Sequence, residues 1–327
     1  MEPFLKPFFA PRTWMPLLIL GLILLGWGIE TSTHYESNST GTLSIVWLVA
    51  LPLLASLLAL LAYRSIRLAG WQTKVTQKAG RMEQEMEIAR RIQQSLVPAQ
   101  FPSMQSLDIA AIFQPSKAVG GDFYDYFPLS DGRLAIVIGD VSGKGIPAAL
   151  HMAQVKGIFR SLHQLDLSIT ELIIKANQAI SECFEKNAFL TAIYMVFDEK
   201  ERTFTYYRAG HCPIMRYDAE SQEVKVLDDT GLGLAIVRGE NYREHVQLTK
   251  RQLLPNDVWV LYTDGLEEGI CPETKEAYGF DRLKRSLQLS EKMSASGIMS
   301  TMLSDFNRHV GSNGELDDLT MIVIKCR

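Results

Sequence analysis

Ile138–Gly145, IGDVSGKG, places Asp140 at the end of a β-rich run, Arg133–Asp140, and follows it at once with a glycine-punctuated turn. A carboxylate at a strand end can point out of a sheet without burying an unpaired charge. Three further acidic segments fall where a strand ends or a turn begins: Val119–Asp125 (VGGDFYD), Tyr262–Glu268 (YTDGLEE) and Asp317–Thr320 (DDLT). Taken singly, an Asp before a Gly is more often a turn residue than a ligand. Four such sites brought together would repel one another unless cations sat between them. Oxygen-only ligation, without histidine or clustered cysteine, favours Mg2+ or Mn2+ over zinc. The glycines at 120, 121, 143, 145 and 265 let the backbone turn tightly or approach a ligand where a Cβ would clash.

Outward from these sites, short β-rich runs alternate with helical blocks. Strands are expected at Leu107–Phe113, Arg133–Asp140, Leu190–Asp198, Thr203–Arg208, Arg243–Leu248, Val258–Thr263 and Leu319–Lys325. Helices are expected at Pro147–His163, Ile169–Lys186, Asp281–Leu289 and Ala295–His309. Strands that follow strands, with helices in blocks, imply mainly antiparallel sheets covered by helices, an α+β arrangement.

The first fifth of the chain is different. Trp14–Ile29 and Leu43–Tyr63 carry no charged side chain; the second is long enough to cross a bilayer and the first would need tilt or thinning. A signal peptide would suit Lys6 and Arg12 ahead of the first stretch, but Gly26–Glu30 lacks a small-x-small cleavage site and a second apolar stretch follows. The expectation is a two-span transmembrane hairpin over residues 1–63. Lys6 and Arg12 lie before it, Arg64, Arg67, Lys74, Lys78 and Arg81 after it, and none in Glu30–Gly41, so both termini are expected in the cytoplasm. The hairpin serves as an anchor or takes part in sensing. Residues 64–98 read as a helical linker in which Val75, Ala79, Met82, Met86, Ala89 and Leu96 form a short seam interrupted by Gln93. It is a dimerising linker, a helix packed on its own domain, or both.

Nearly half of the residues are apolar, which supports a sizeable core, and the net charge is only −4 with no dense basic run, which argues against a nucleic-acid partner. Cys183, Cys212, Cys271 and Cys326 stand far apart and read as reduced thiols.

Seven segments, VGGDFYDYF, IGDVSGKGIPAAL, FLTAIYMVFD, YRAGHCPIMRY, TGLGLAI, LYTDGLEE and DDLTMIVIK, occur in an order and spacing that resemble the SpoIIE/RsbU-type branch of the PPM (type 2C) metal-dependent protein phosphatases. The likeness covers nearly everything from Leu107 onward, and EIARRIQQSLVP before it resembles the linker of such domains. It implies a sandwich of two antiparallel β-sheets flanked by α-helices over residues 99–327, with two divalent ions, Mn2+ or Mg2+, at one end. Carried over, Asp122 would hold one ion, Asp140 would bridge both, the Val141 carbonyl would add a backbone ligand, and Asp264 and Asp317 would hold the other. Gly121 and Asp318 would support them from behind. Lys144 is either a phosphate-facing charge or a solvent-facing loop lysine. Ser142 stands where eukaryotic members carry a histidine that protonates the leaving group, so the general acid is left unassigned. No counterpart of the phosphate-gripping arginine of some eukaryotic relatives is found. His211, in AGHCP, reads better as a structural histidine beside a turn than as a ligand.

By the same resemblance the chain is expected to act on phosphoserine or phosphothreonine of a small anti-sigma-factor antagonist, as a homodimer joined through the linker helix, at the cytoplasmic membrane and in contact with its lipid. A nucleotide cyclase with a GGDEF-like signature is disfavoured because Phe123 replaces the acidic residue needed after Asp122. The alternative is a catalytically silent phosphatase-like module that only binds a partner at the membrane; loss of a metal-site Asp would signal it, and none is lost, although a metal-competent site does not by itself prove turnover.

Overall fold

The computed structural model describes Ile23 and residues 41–311, 314 and 316–327. The first expected span, Trp14–Ile29, lies outside the described residues apart from Ile23, as does most of the connection after it. The second expected span and the expected linker run on in one helix: Gly41–Leu96, α1, of 56 residues. Gly70 and Gly80 are isolated within it, and a single glycine weakens a helix without ending it. Among the described residues this is the one helix long and apolar enough to cross a membrane. The chain divides into two compact units, 1–84 and 85–327.

The second unit holds two five-stranded antiparallel sheets. The first is built from β1 (Leu107–Gln114), β6 (Ile214–Asp218), β7 (Glu223–Leu227), β9 (Val258–Tyr262) and β10 (Leu319–Cys326), in the order β1-β10-β9-β6-β7. The second is built from β2 (Phe123–Pro128), β3 (Leu134–Val141), β4 (Leu190–Asp198), β5 (Thr203–Ala209) and β8 (Thr249–Gln252), in that order. Helices α2 (Ile146–Leu162) and α3 (Ile169–Cys183) cover the second sheet; α5 (Gly279–Ser290) and α6 (Ala295–Val310) cover the first, and a single turn, α4 (Gly265–Glu268), follows β9.

Strand β3 shows how sequence becomes layer. Leu134, Ile136 and Ile138 face the other sheet, packing with Phe204, Trp259, Leu261 and Ile322, while Ala135 and Val137 face α2 and α3, packing with Val155, Phe159 and Ala176. Side chains alternate across a strand, so a strand covered on both faces reads as a continuous apolar run. In β10, likewise, Ile322 and Ile324 point between the sheets and Met321 and Val323 toward α6.

Helix α2 is fastened to β2 by buried charge. Asp125 and Lys156 are both almost wholly enclosed and pair at 2.8 Å, and Arg160 reaches the other Asp125 oxygen at 3.0 Å. Lys156 also donates to the Tyr124 carbonyl at 2.9 Å. Burial pushes the Lys156 ammonium down to about 8 against the opposing pull of Asp125.

One expected strand is corrected. Within Arg243–Leu248, the chain forms a 3-10 helix, Glu240–His245, and the edge strand begins only at Thr249. Tyr242 is the reason: its ring is fully buried and its hydroxyl meets the Leu232 carbonyl and, at 2.9 Å, the Tyr207 hydroxyl, which a strand edge would not permit.

Candidate functional site

Asp122 immediately precedes β2, Asp140 is the penultimate residue of β3, Asp264 follows β9 by two residues, and Asp317 and Asp318 lead into β10. The four acidic segments therefore belong to strand ends of both sheets, and a set of hydrogen bonds stitches those ends together. Buried Asp122, from the second sheet, accepts through Oδ2 from Thr263 Oγ1 at 2.7 Å and Thr320 Oγ1 at 2.8 Å, both from the first sheet. The threonines are themselves crossed: Thr320 N donates to Thr263 Oγ1 at 2.9 Å and Thr263 N to the Thr320 carbonyl at 3.0 Å.

Asp318 fastens the turn ahead of Asp122. Its Oδ1 accepts from the Ser116 amide and hydroxyl, each at 2.8 Å, and its Oδ2 from the Gly121 amide at 2.9 Å. Gly121 is needed there because a Cβ would stand 2.6 Å from the Val141 carbonyl oxygen and 3.1 Å from Asp140 Oδ1. That steric fact brings Asp140, Val141 and the Gly121–Asp122 turn into one place.

The electrostatics agree. Burial, then the negative charge of Asp140, raises the Asp122 carboxyl well above the usual range. Asp140 is pushed up to about 7 by burial and then by Asp264, Asp318 and Asp317. Asp264 is raised by burial and then by Glu268 and Asp317. Carboxylates that disfavour one another's ionisation are a donor set lacking positive charge, and their oxygens suit a hard divalent ion. No three acidic, histidine or cysteine side chains among the described residues close on one point at ligand distance. The fit to metal thus rests on donor type, mutual charge and placement.

Lys144, on the loop between β3 and α2, pairs with Asp317. Ser142 is used within that loop: its hydroxyl accepts from the Phe189 amide at 2.9 Å and its amide donates to the Phe189 carbonyl at 3.0 Å. His211 is buried and held at 2.9 Å from Thr191 Oγ1, and burial, with Arg208 nearby, lowers its pKa to about 3. A neutral, enclosed ring beside a turn is the structural role expected of it. Cys212 is half-buried; burial, then the charges of Asp264 and Glu267, keep its thiol protonated.

Sequence reasoning missed Thr263, Thr320, Ser116 and Gln93. The two threonines sit inside the quoted TDG and DDLT segments, but Ser116 carries no signal of its own. Gln93, the residue that interrupts the linker seam, is buried: its Nε2 donates to the Gly120 carbonyl at 2.7 Å and its Oε1 accepts from the Gly120 amide at 3.1 Å. Leu96 packs against the core beside α2 and α3. The end of α1 is therefore a helix packed on its own domain. Gln93→Ala, which leaves both polar groups of Gly120 unpaired, should lower the unfolding free energy by about 1–3 kcal/mol in a denaturant titration.

Comparison with known proteins follows the same lines. The model of the family described as Stage II sporulation protein E (SpoIIE) matches residues 130–327. Phosphoserine phosphatase RsbU of Bacillus subtilis is 30% identical over 250 residues, spanning 75% of this chain and 70% of that protein. Protein IcfG of Synechocystis sp. is 29% identical over 271 residues, 73% of this chain but only 41% of its own. The SiaA-PP2C domain of Pseudomonas aeruginosa superposes with a TM-score of 0.65 at 18% identity, over 75% of this chain and 97% of that one, which speaks for the fold. With both sheets, the order of the acidic strand ends and this sequence kinship in agreement, the chain belongs to the SpoIIE/RsbU-type branch of the PPM metal-dependent protein serine/threonine phosphatases.

Proposed function

We propose that this protein hydrolyses phosphoserine or phosphothreonine on a regulatory protein of a partner-switching pathway, an anti-sigma-factor antagonist, from a position on the cytoplasmic membrane. The observation that carries the activity is the meeting of both sheets' acidic strand ends through Asp122, Thr263 and Thr320. The substrate class is taken from kinship with the phosphoserine phosphatase RsbU.

Asp122, Asp140, Asp264 and Asp317, with the Val141 carbonyl, are the groups that would hold two Mn2+ or Mg2+ ions. Such a pair supplies a water of lowered pKa and positive charge against the phosphoryl oxygens. The chain's part is positioning. Thr263 and Thr320 turn Asp122 by donating to one of its oxygens, Oδ2. Asp318, tied to Ser116 and Gly121, fixes the turn that carries Asp122. Ser142 accepts from the Phe189 amide within its loop, and the leaving-group proton is assigned to water.

Anchoring is supported by α1, where Leu51, Leu53, Leu54, Leu57, Leu58 and Leu61 are all exposed, the surface of a helix that lipid would cover. The basic residues after Tyr63 support cytoplasmic placement of the domain and of both termini. Val75 and Met82, exposed on the same helix, support pairing of two chains over the part of the seam that precedes Gln93.

The test is phosphate release from a phosphoserine protein by the full-length chain in detergent. Release should require Mn2+ or Mg2+, fall to background with EDTA and return on adding Mn2+. No release under any of these conditions would leave the silent binding module as the better reading.

A further inference from the structure

Lys144 makes the one salt bridge to the aspartate cluster among the described residues, and it chooses Asp317 Oδ2. The other Asp317 oxygen accepts from the Asp318 amide at 2.9 Å, so both oxygens are engaged. The lysine is otherwise out in solvent, with a side-chain exposure of 61% against 20% for Asp317.

The loop that carries it is fixed at one end and free in the middle. Ser142 is clasped to Phe189, and α2 begins at Ile146. Between them Gly143 and Gly145 have φ of 101° and 73°, and the space where a Cβ would stand is open at both. Glycine crosses between backbone wells that other residues cannot share, so Lys144 sits on a two-sided pivot.

We propose that Lys144 is a built-in counter-cation for the Asp317 side of the site: it holds Asp317 while no metal is bound, yields it to a divalent ion, and, once released, turns on its glycine pivot to a phosphoryl oxygen of the substrate. This rests on the metal-dependent phosphatase reading above. It explains why a lysine should stand in a site whose ligands must attract cations. A monovalent charge reduces the repulsion of the empty carboxylates, yet an exposed ion pair is weak enough for a divalent ion to displace. Once metals hold the carboxylates, the ammonium is left with an anionic substrate as its natural partner.

The experiment reads the amine itself. Full-length protein in detergent is treated briefly with an acylating reagent, and modification of Lys144 is followed by peptide mass spectrometry with EDTA, with Mn2+, and with Mn2+ plus inorganic phosphate. Labelling should rise about threefold or more with Mn2+ and fall again with phosphate, in keeping with release of a weak exposed pair. In parallel, Lys144→Met should bind Mn2+ about fivefold more tightly by titration calorimetry, while its KM for a phosphoserine protein rises about tenfold with less change in kcat. Lys144→Arg, which keeps the charge, should restore KM. Labelling indifferent to Mn2+, in protein that binds Mn2+ and releases phosphate, overturns the proposal and leaves the phosphatase reading intact. Protein that neither binds Mn2+ nor releases phosphate overturns both.

Discussion

Asp140→Asn should reduce phosphate release by about a thousandfold or more, a loss of roughly 4 kcal/mol in transition-state stabilisation. The site explains the size. Asp140 lies beside the Val141 carbonyl and the Gly121 turn, and its carboxyl is lifted to about 7 by burial and by three neighbouring aspartates. An amide there removes one negative charge and half of the acceptor capacity beside the Gly121–Asp122 turn. Because the replacement has nearly the same shape and Asp140 is crowded by like charge, the metal-free protein should lose no stability. The measurement is single-turnover phosphate release at saturating Mn2+, with a denaturant titration in EDTA alongside. A variant that keeps a tenth of the wild-type rate would show that Asp140 does not hold metal.

Asp125→Ala should cost about 3–5 kcal/mol of folding stability, because it strands Lys156 in an enclosed place without a counter-charge. Asp125 stands three residues from Asp122, in the same quoted segment, yet it points to the opposite face, toward α2. The pH dependence gives the loss its signature. Lys156 titrates at about 8 in the folded protein, against its ordinary value of 10.5. Lysine neutralised by burial binds fewer protons in the folded than in the unfolded chain, so its contribution to stability improves as pH rises between those two values. Without Asp125 its folded pKa falls further, so the variant's deficit is greatest at low pH, shrinks as pH rises toward about 8 and is level above that. Denaturation of both proteins at pH 7 and pH 9.5 checks this; a deficit that grew with pH would mean that Lys156 is not the stranded group.

How far the sequence alone reached depends on which force shapes each element. Leu190–Asp198 was legible to the residue and Leu134–Val141 nearly so, because strands buried on both faces are apolar throughout. Phe123–Pro128 is not among the expected strands, because buried Asp125 breaks the apolar pattern that would mark it. Ile214–Asp218 and Glu223–Leu227 were also missed, each being only five residues long with two charged side chains. Asp122, Asp140 and Asp264 draw notice in the sequence because each stands beside a glycine; Asp317 and Asp318 have no such neighbour. Thr263 and Thr320, which aim Asp122, were not legible, since a hydroxyl that bonds across two sheets has no partner nearby in sequence. Gln93 was visible only as a flaw in a seam; its purpose is a bond to Gly120, 27 residues further along the chain.

The position of β10 between β1 and β9 sets a timetable for synthesis. A ribosome delivers β1 early, yet its pairing partner, Leu319–Cys326, emerges only after β9, and Asp317 and Asp318 arrive just ahead of it. Until then β1 offers an unpaired edge, and Asp122 lacks the Thr320 hydroxyl that orients it. An unfinished chain thus lacks both a partner for β1 and the full set of bonds that orients Asp122, and one late strand supplies the two together.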